Sequence, residues 1–138
     1  MTRGLRLNNP GNIFFNEANN WEGEIRPSTD PELAQFATMP YGIRAWRHVI
    51  DSYALRGITT LGPTDTSPGI IPTYSKTDIA AYIANVSHDL GVAPTDALAV
   101  DDPTTKFALA RAMFKQEQGA IPAATISDDV ILQGLSLV

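Results

Sequence analysis

The 138-residue chain contains no cysteine and only two histidines, His48 and His88. Without a thiol there is no cysteine nucleophile, no thiolate-ligated zinc and no disulfide framework. The two histidines lie inside helical patterns, with no H-E-x-x-H arrangement, and do not form the ligand cluster of a zinc hydrolase. Both read as exposed or capped helix residues. No metal or organic cofactor is expected. An excess of positive charge is missing too: 10 Lys and Arg stand against 15 Asp and Glu, for a net charge of −5. A general nucleic-acid binder needs a basic face, so that class is disfavoured. Arg3, Arg6 and Arg26 make the N-terminal region locally basic, which is too little for a polyanion track. No apolar run has the length of a bilayer span. Met1-Thr2-Arg3-Gly4 leads into turn residues rather than the apolar stretch of a secretory leader. Nucleic-acid partners, membrane insertion and a signal peptide are therefore not expected.

What is present is an ordinary globular composition, 43% hydrophobic and 18% charged. The length suits one domain over residues 1–138 with a single core. The most distinctive stretch is Arg3-Gly-Leu-Arg-Leu-Asn-Asn-Pro-Gly-Asn12. It is too polar for a core strand and too rich in Asn, Pro and Gly for a helix. Asn-Pro and Pro-Gly force turns, because Pro fixes φ and Gly accepts positive φ. A turn here would hold the amides of Asn8, Asn9 and Asn12 in a fixed array. Planar amides beside an aromatic face suit a sugar that carries an N-acetyl group.

Residues 13–26 read as a hairpin, with Ile13-Phe14-Phe15 as one strand, a polar turn, and Trp21 to Arg26 returning. Leu33 to Phe36 adds a third short strand. From Thr38 the period becomes helical, and Ile43, Trp46, Ile50 and Tyr53 share one stripe up to a stop at Gly57. Phe36 and Trp46 belong to the core. Residues 58–74, rich in Gly and Pro, form a long irregular connection. A second helix starts at Ser75, with Asp78 three residues on, and ends at Gly91. A third starts behind Asp102, with Pro103 at its first position, and stops at Gly119. A short terminal helix follows Ser127.

One carboxylate breaks this pattern. Ala110, Met113, Phe114 and Glu117 are spaced i, i+3, i+4 and i+7, so Glu117 continues an apolar stripe inward. It also stands in the last helical turn, where the dipole disfavours a negative charge. Burial and dipole together should raise its pKa. A carboxylic acid kept protonated is what glycosidic cleavage needs, since the leaving oxygen must be protonated. The alternative is a Glu117 rotated into solvent beside Gln116 and Gln118.

The motif Arg3-Gly-x-Arg-x-Asn-Asn-Pro-Gly-Asn-Ile13, with Trp21-x-Gly23, Phe36 and Tyr41-Gly-Ile-Arg-Ala45, resembles small phage- and prophage-encoded proteins of the lysozyme-like superfamily. Those proteins act on the peptidoglycan glycan. The resemblance implies a mainly α, α+β lysozyme-like domain with a small β-hairpin or sheet. It also implies cleavage between N-acetylmuramic acid and N-acetylglucosamine, as a lytic transglycosylase or a muramidase, with Glu117 as general acid and then base. Lysozyme-like enzymes carry the acid at a helix end in a Glu-x-Gly context, which Glu117-Gln118-Gly119 matches. In most of that superfamily the acidic helix precedes the sugar-binding sheet. The reversed order here is what a circular permutation would produce.

Asp78 to Val86 is similar to the Tyr-Val-x-x-Val helix of lytic transglycosylases, although Ile79 stands where that family has Thr. On that likeness Tyr82 would lie near the acid; otherwise it is a boundary aromatic with its hydroxyl in water. The candidates for the sugar cleft are Asn9, Asn12, Trp21, Gln35, Tyr41, Tyr74 and Tyr82. Trp21 has an alternative role as anchor of the small sheet, and Asn9 and Asn12 as turn residues. A hydrolase generally needs a second carboxylate, whereas a transglycosylase manages with one acid/base. Glu17, Glu22, Glu24, Asp30 and Glu32 read mostly as solvated surface, so the transglycosylase is favoured. The implied partners are peptidoglycan glycan strands, with other virion proteins as a further class. The protein would be made in the host cytoplasm and carried to the wall by a holin or a virion. The rival reading is a noncatalytic virion or wall-binding module, which has no need of a buried acid.

Overall fold

The structure, a computed structural model, describes all residues from Met1 to Val138. It is a mainly helical α+β fold of seven helices and one two-stranded sheet. In chain order the elements are α1 (Arg3–Arg6), β1 (Glu24–Ile25), β2 (Gln35–Phe36), α2 (Met39–Leu55), α3 (Ile70–Tyr74), α4 (Ile79–Leu90), α5 (Pro103–Gln118), α6 (Ala120–Ala124) and α7 (Asp128–Ser136). No helix is long and apolar enough to cross a membrane. The chain gathers into two compact units, residues 1–48 with 113–138 and residues 49–112.

In the first unit, the N-terminal stretch expected to exclude helix begins with one helical turn. Thr2 makes this possible by accepting the Leu5 N–H on its Oγ1, and burial of Leu5 anchors the turn. Beyond it the chain does turn as its Asn, Pro and Gly dictate. Asn8 and Asn12 adopt left-handed conformations (φ 54° and 51°), which short amide side chains tolerate.

The sheet departs from the expected hairpin over 13–26. Phe14 forms a bridge with Leu33, and β1 pairs antiparallel with β2, Glu24 opposite Phe36 and Ile25 opposite Gln35. Burial explains the choice. Leu33, Ala34 and Phe36 carry the inward apolar face, whereas Phe14 is 63% exposed and Phe15 also points outward. The segment with the apolar face becomes the common partner of both neighbours.

Helix α2 buries Ile43, Trp46, Ile50 and Tyr53, as their spacing dictates. Trp46 meets Phe114 edge-on at 5.4 Å. A Cβ on Gly134 would stand 2.6 Å from that of Ile43, so this glycine lets α7 approach α2 closely. The Arg47 guanidinium fastens the end of α7 by donating to the carbonyls of Leu135, at 2.6 Å, and Leu137.

In the second unit, the connection 58–74 is more ordered than its composition suggests. It buries Ile58, Leu61, Ile70 and Ile71 and ends in α3, which packs on α4. Backbone hydrogen bonds from Ile70 to Thr60 (2.7 Å) and Ile71 to Leu61 (3.1 Å) draw its two arms together. Gly69, at φ 88°, permits this, since a Cβ there would lie 2.5 Å from the Gly62 carbonyl carbon. Ser75, the expected start of the second helix, instead closes α3, and α4 begins only after the left-handed Asp78. Gly91 ends α4 in the left-handed conformation, as expected. Lys106 is buried with its ammonium paired to Asp51.

Candidate functional site

The last turn of α5 and the N-terminal turn meet in the first unit. Asn12 Nδ2 donates to Glu117 Oε1 at 3.0 Å and to the Glu117 carbonyl at 3.2 Å. Gln118 Nε2 donates to Asn12 Oδ1 at 3.0 Å and to the Pro10 carbonyl at 2.9 Å. Thr2 Oγ1 donates in turn to Gln118 Oε1. Gly4 makes room for this network, because a Cβ there would lie 2.2 Å from Asn12 Oδ1 and 2.3 Å from Gln118 Nε2. The turn of amides and the helix end are therefore one assembly.

Glu117 is half-buried, not fully interior as its stripe suggests. Ala110, Met113 and Phe114 are buried, and the polar group that follows them inward is Gln118, only 6% exposed. Gln118 lies four residues after Phe114, on the same face, so the inward direction passes to it at the helix end. Glu117 stands at the rim, oriented by Asn12. A half-buried carboxyl that accepts from one side-chain amide can exchange a proton with a bound polyol.

The other candidates fall in different places. Asn9 is completely buried: its Nδ2 donates to the carbonyls of Ile13 (2.9 Å) and Ala34 (2.8 Å), and its Oδ1 accepts the Ile13 N–H. It serves the turn. Trp21 is half-buried, with its ring 6.4 Å from that of His48 and a buried indole N–H that has no hydrogen-bond partner. Tyr41, also half-buried, lies over Gly23, where a Cβ would come within 2.3 Å of the ring. The Trp21-x-Gly23 and Tyr41 motifs are thus one packing unit. Gln35 accepts the Thr29 N–H at 2.9 Å. Tyr74, half-buried at the end of α3, and Tyr82, buried on α4, belong to the second unit.

Among the hairpin-region carboxylates, Asp30 is fully engaged. It accepts both Arg3 Nε and Nη2 at 2.6 Å and the N–H groups of Glu32 and Leu33. The Arg3 guanidinium chiefly, and then these amides, hold its carboxyl well below the usual range against the opposing effect of burial. Glu24 pairs with Arg26 and accepts the Trp21 N–H. Glu22 is exposed and pairs with Arg44 at 3.3 Å.

Thr2, Gly4 and Gln118 escaped the reading of the sequence, and so did the Arg3–Asp30 pair. Gln118 had a signal, its i+4 spacing from Phe114. The contacts of Thr2 and Gly4 across the chain had none.

No family model matches the chain. It is 32% identical over 126 residues to Protein P5 of Pseudoalteromonas phage PM2, across 87% of this chain and 73% of that protein. The chain belongs to the Protein P5 family. The P5 relative is a bacteriophage protein, consistent with the phage character that the N-terminal motif implies.

Proposed function

We propose that this member of the P5 family is a peptidoglycan-cleaving glycosidase acting between N-acetylmuramic acid and N-acetylglucosamine, with Glu117 as general acid/base. The observation that carries this reading is the hydrogen bond from Asn12 to Glu117 Oε1. It joins the Asn-rich turn to a half-buried carboxyl at a helix end. The lysozyme-like likeness of the Glu-x-Gly context and of the N-terminal motif adds to it. The first unit is built from residues 1–48 and 113–138, which suits a permuted arrangement of that fold.

Glu117 would give its proton to the glycosidic oxygen as the C1–O bond breaks. The same carboxylate would then take the proton of the muramic acid 6-hydroxyl as that oxygen closes on C1. Proximity favours the tethered hydroxyl over water. Asp30 and Glu24 are committed to structural pairs, which favours this one-carboxylate route over hydrolysis. Asn12, Trp21 and Tyr41 are the first-unit residues proposed to meet the sugar, with Gln35 beside them on β2.

Mass spectrometry of digested peptidoglycan tests the reading. The expected products end in 1,6-anhydromuramic acid, one water lighter than hydrolysis products. Glu117→Gln should lower their release by about 10²–10⁴-fold while circular dichroism stays unchanged. A folded Glu117→Gln variant with full activity would refute the assignment. Binding without cleavage by the wild type would make the chain a noncatalytic wall-binding or virion module.

A further inference from the structure

Apart from Glu117, the first unit carries an open cavity of about 420 Å³ shared by α1, the start of α2 and the start of α7. Leu5, Met39, Ile126 and Val130 supply apolar walls, and Arg6 and Ser127 supply polar groups. Apolar walls with a few polar groups are the usual make-up of a small-molecule pocket, and the volume is in that range.

Two observations give the charge of a ligand. Arg6 is exposed and enters no salt bridge, whereas every other arginine of this unit is committed. Arg3 holds Asp30, Arg26 holds Glu24, Arg44 holds Glu22, and Arg47 holds main-chain carbonyls. Ser127 Oγ accepts the Val130 N–H at 3.2 Å, which leaves its hydroxyl proton to donate. A guanidinium is permanently charged and its fork of donors matches a carboxylate.

We infer that this cavity is a binding subsite for a short carboxylate-bearing peptide. Arg6 takes the carboxylate, and Leu5, Met39, Ile126 and Val130 receive a small aliphatic side chain. The inference rests on the peptidoglycan reading, because muramic acid carries short peptides of that chemistry. Helix α1 ties the two places together. Its Gly4 backs onto Asn12 and Gln118, while Leu5 and Arg6 of the same turn line the cavity. A helix is about 10 Å across, so a peptide attached to a sugar at Glu117 has a short distance to cover. The enzyme would then read the peptide with one face of α1 and act on the sugar beside the other.

The test is a titration of methyl-labelled protein with the free tripeptide L-alanyl-γ-D-glutamyl-diaminopimelate, followed by NMR. Saturable shifts are expected at the Leu5, Met39, Ile126 and Val130 methyl groups. Arg6→Gln, an exposed and unpaired position, should bind about tenfold more weakly, the loss of one charge-assisted contact. Glu117→Gln should bind as the wild type does. The absence of saturable shifts, equal binding by Arg6→Gln, or equal shifts with acetate at the same concentration would each overturn the subsite. The readout needs no glycan cleavage. A wild type that binds the tripeptide but never cuts peptidoglycan would sustain the subsite and refute the glycosidase.

Discussion

Asn12 and Glu117, 105 positions apart, are joined by a 3.0 Å hydrogen bond from amide to carboxyl oxygen. Asn12 has a left-handed backbone, so glycine can replace it without strain in the turn. Asn12→Gly removes the donor and keeps the loop. A hydrogen bond to a charged group is worth about 1.5–3 kcal/mol. On the proposed glycosidase reading, turnover on peptidoglycan should therefore fall roughly 10–100-fold, with a smaller change in KM. Steady-state kinetics on dye-labelled walls would show it.

Gly4 and Gly42 are expected to resist the smallest enlargement. A Cβ on Gly4 would lie 2.7 Å from the Asn9 carbonyl oxygen, and one on Gly42 would lie 1.8 Å from that of Asn8. Main-chain atoms cannot swing aside as side chains can. Each Ala variant should lose about 1–3 kcal/mol from overpacking, with Gly42→Ala the worse of the two. Urea midpoints at constant m-value measure this.

Asp30 makes a prediction about pH. Its folded-state carboxyl is held below the ordinary value of 3.8, first by Arg3 and then by the amides of Leu33 and Glu32, while burial opposes them. The unfolded chain takes up the proton at a higher pH than the native one. Stability from this group is therefore complete above the unfolded value and declines as pH falls through it towards the folded one. Asp30→Asn should destabilise the protein clearly at about pH 6 and less, though still detectably, at about pH 2.5. Denaturation curves of both proteins at the two pH values would decide.

The buried Lys106 should respond differently to loss of its partner and loss of itself. Asp51→Ala leaves a buried ammonium unpaired; because the Asp51 side chain is 45% exposed, the cost should be about 1–3 kcal/mol rather than the full buried-pair value. Lys106→Met keeps the volume and removes the charge, so it should stay within about 1 kcal/mol of the wild type. Chemical denaturation of the two variants separates these outcomes.

The legible parts of the fold are those with local causes. The three- and four-residue spacing of Ile43, Trp46, Ile50 and Tyr53 marks α2, and Pro103 and Gly119 bracket α5. Ser127 starts α7 by accepting the Val130 N–H. The pairing of Phe14 with Leu33 depends on which segment buries its apolar face, and no turn residue announces it. Helix α6 follows Gly119 at once and is only five residues long, with Pro122 inside it, so periodicity cannot mark it. The same division holds at the candidate site. Asn12 and Glu117 stand out separately, one by its turn and one by its place on a stripe. Their contact, and the support from Thr2, Gly4 and Gln118, exist only between distant parts of the chain.

The distance between Asn12 and Glu117 along the chain has a consequence for the nascent protein. A ribosome adds about 5–20 residues per second, so Asn12 is made roughly 5–20 s before Glu117. Through that interval the N-terminal turn has neither the carboxyl nor the Gln118 side chain that fastens it. The assembly can close only after α5 has left the exit tunnel, so every growing chain stays incomplete at this place until then.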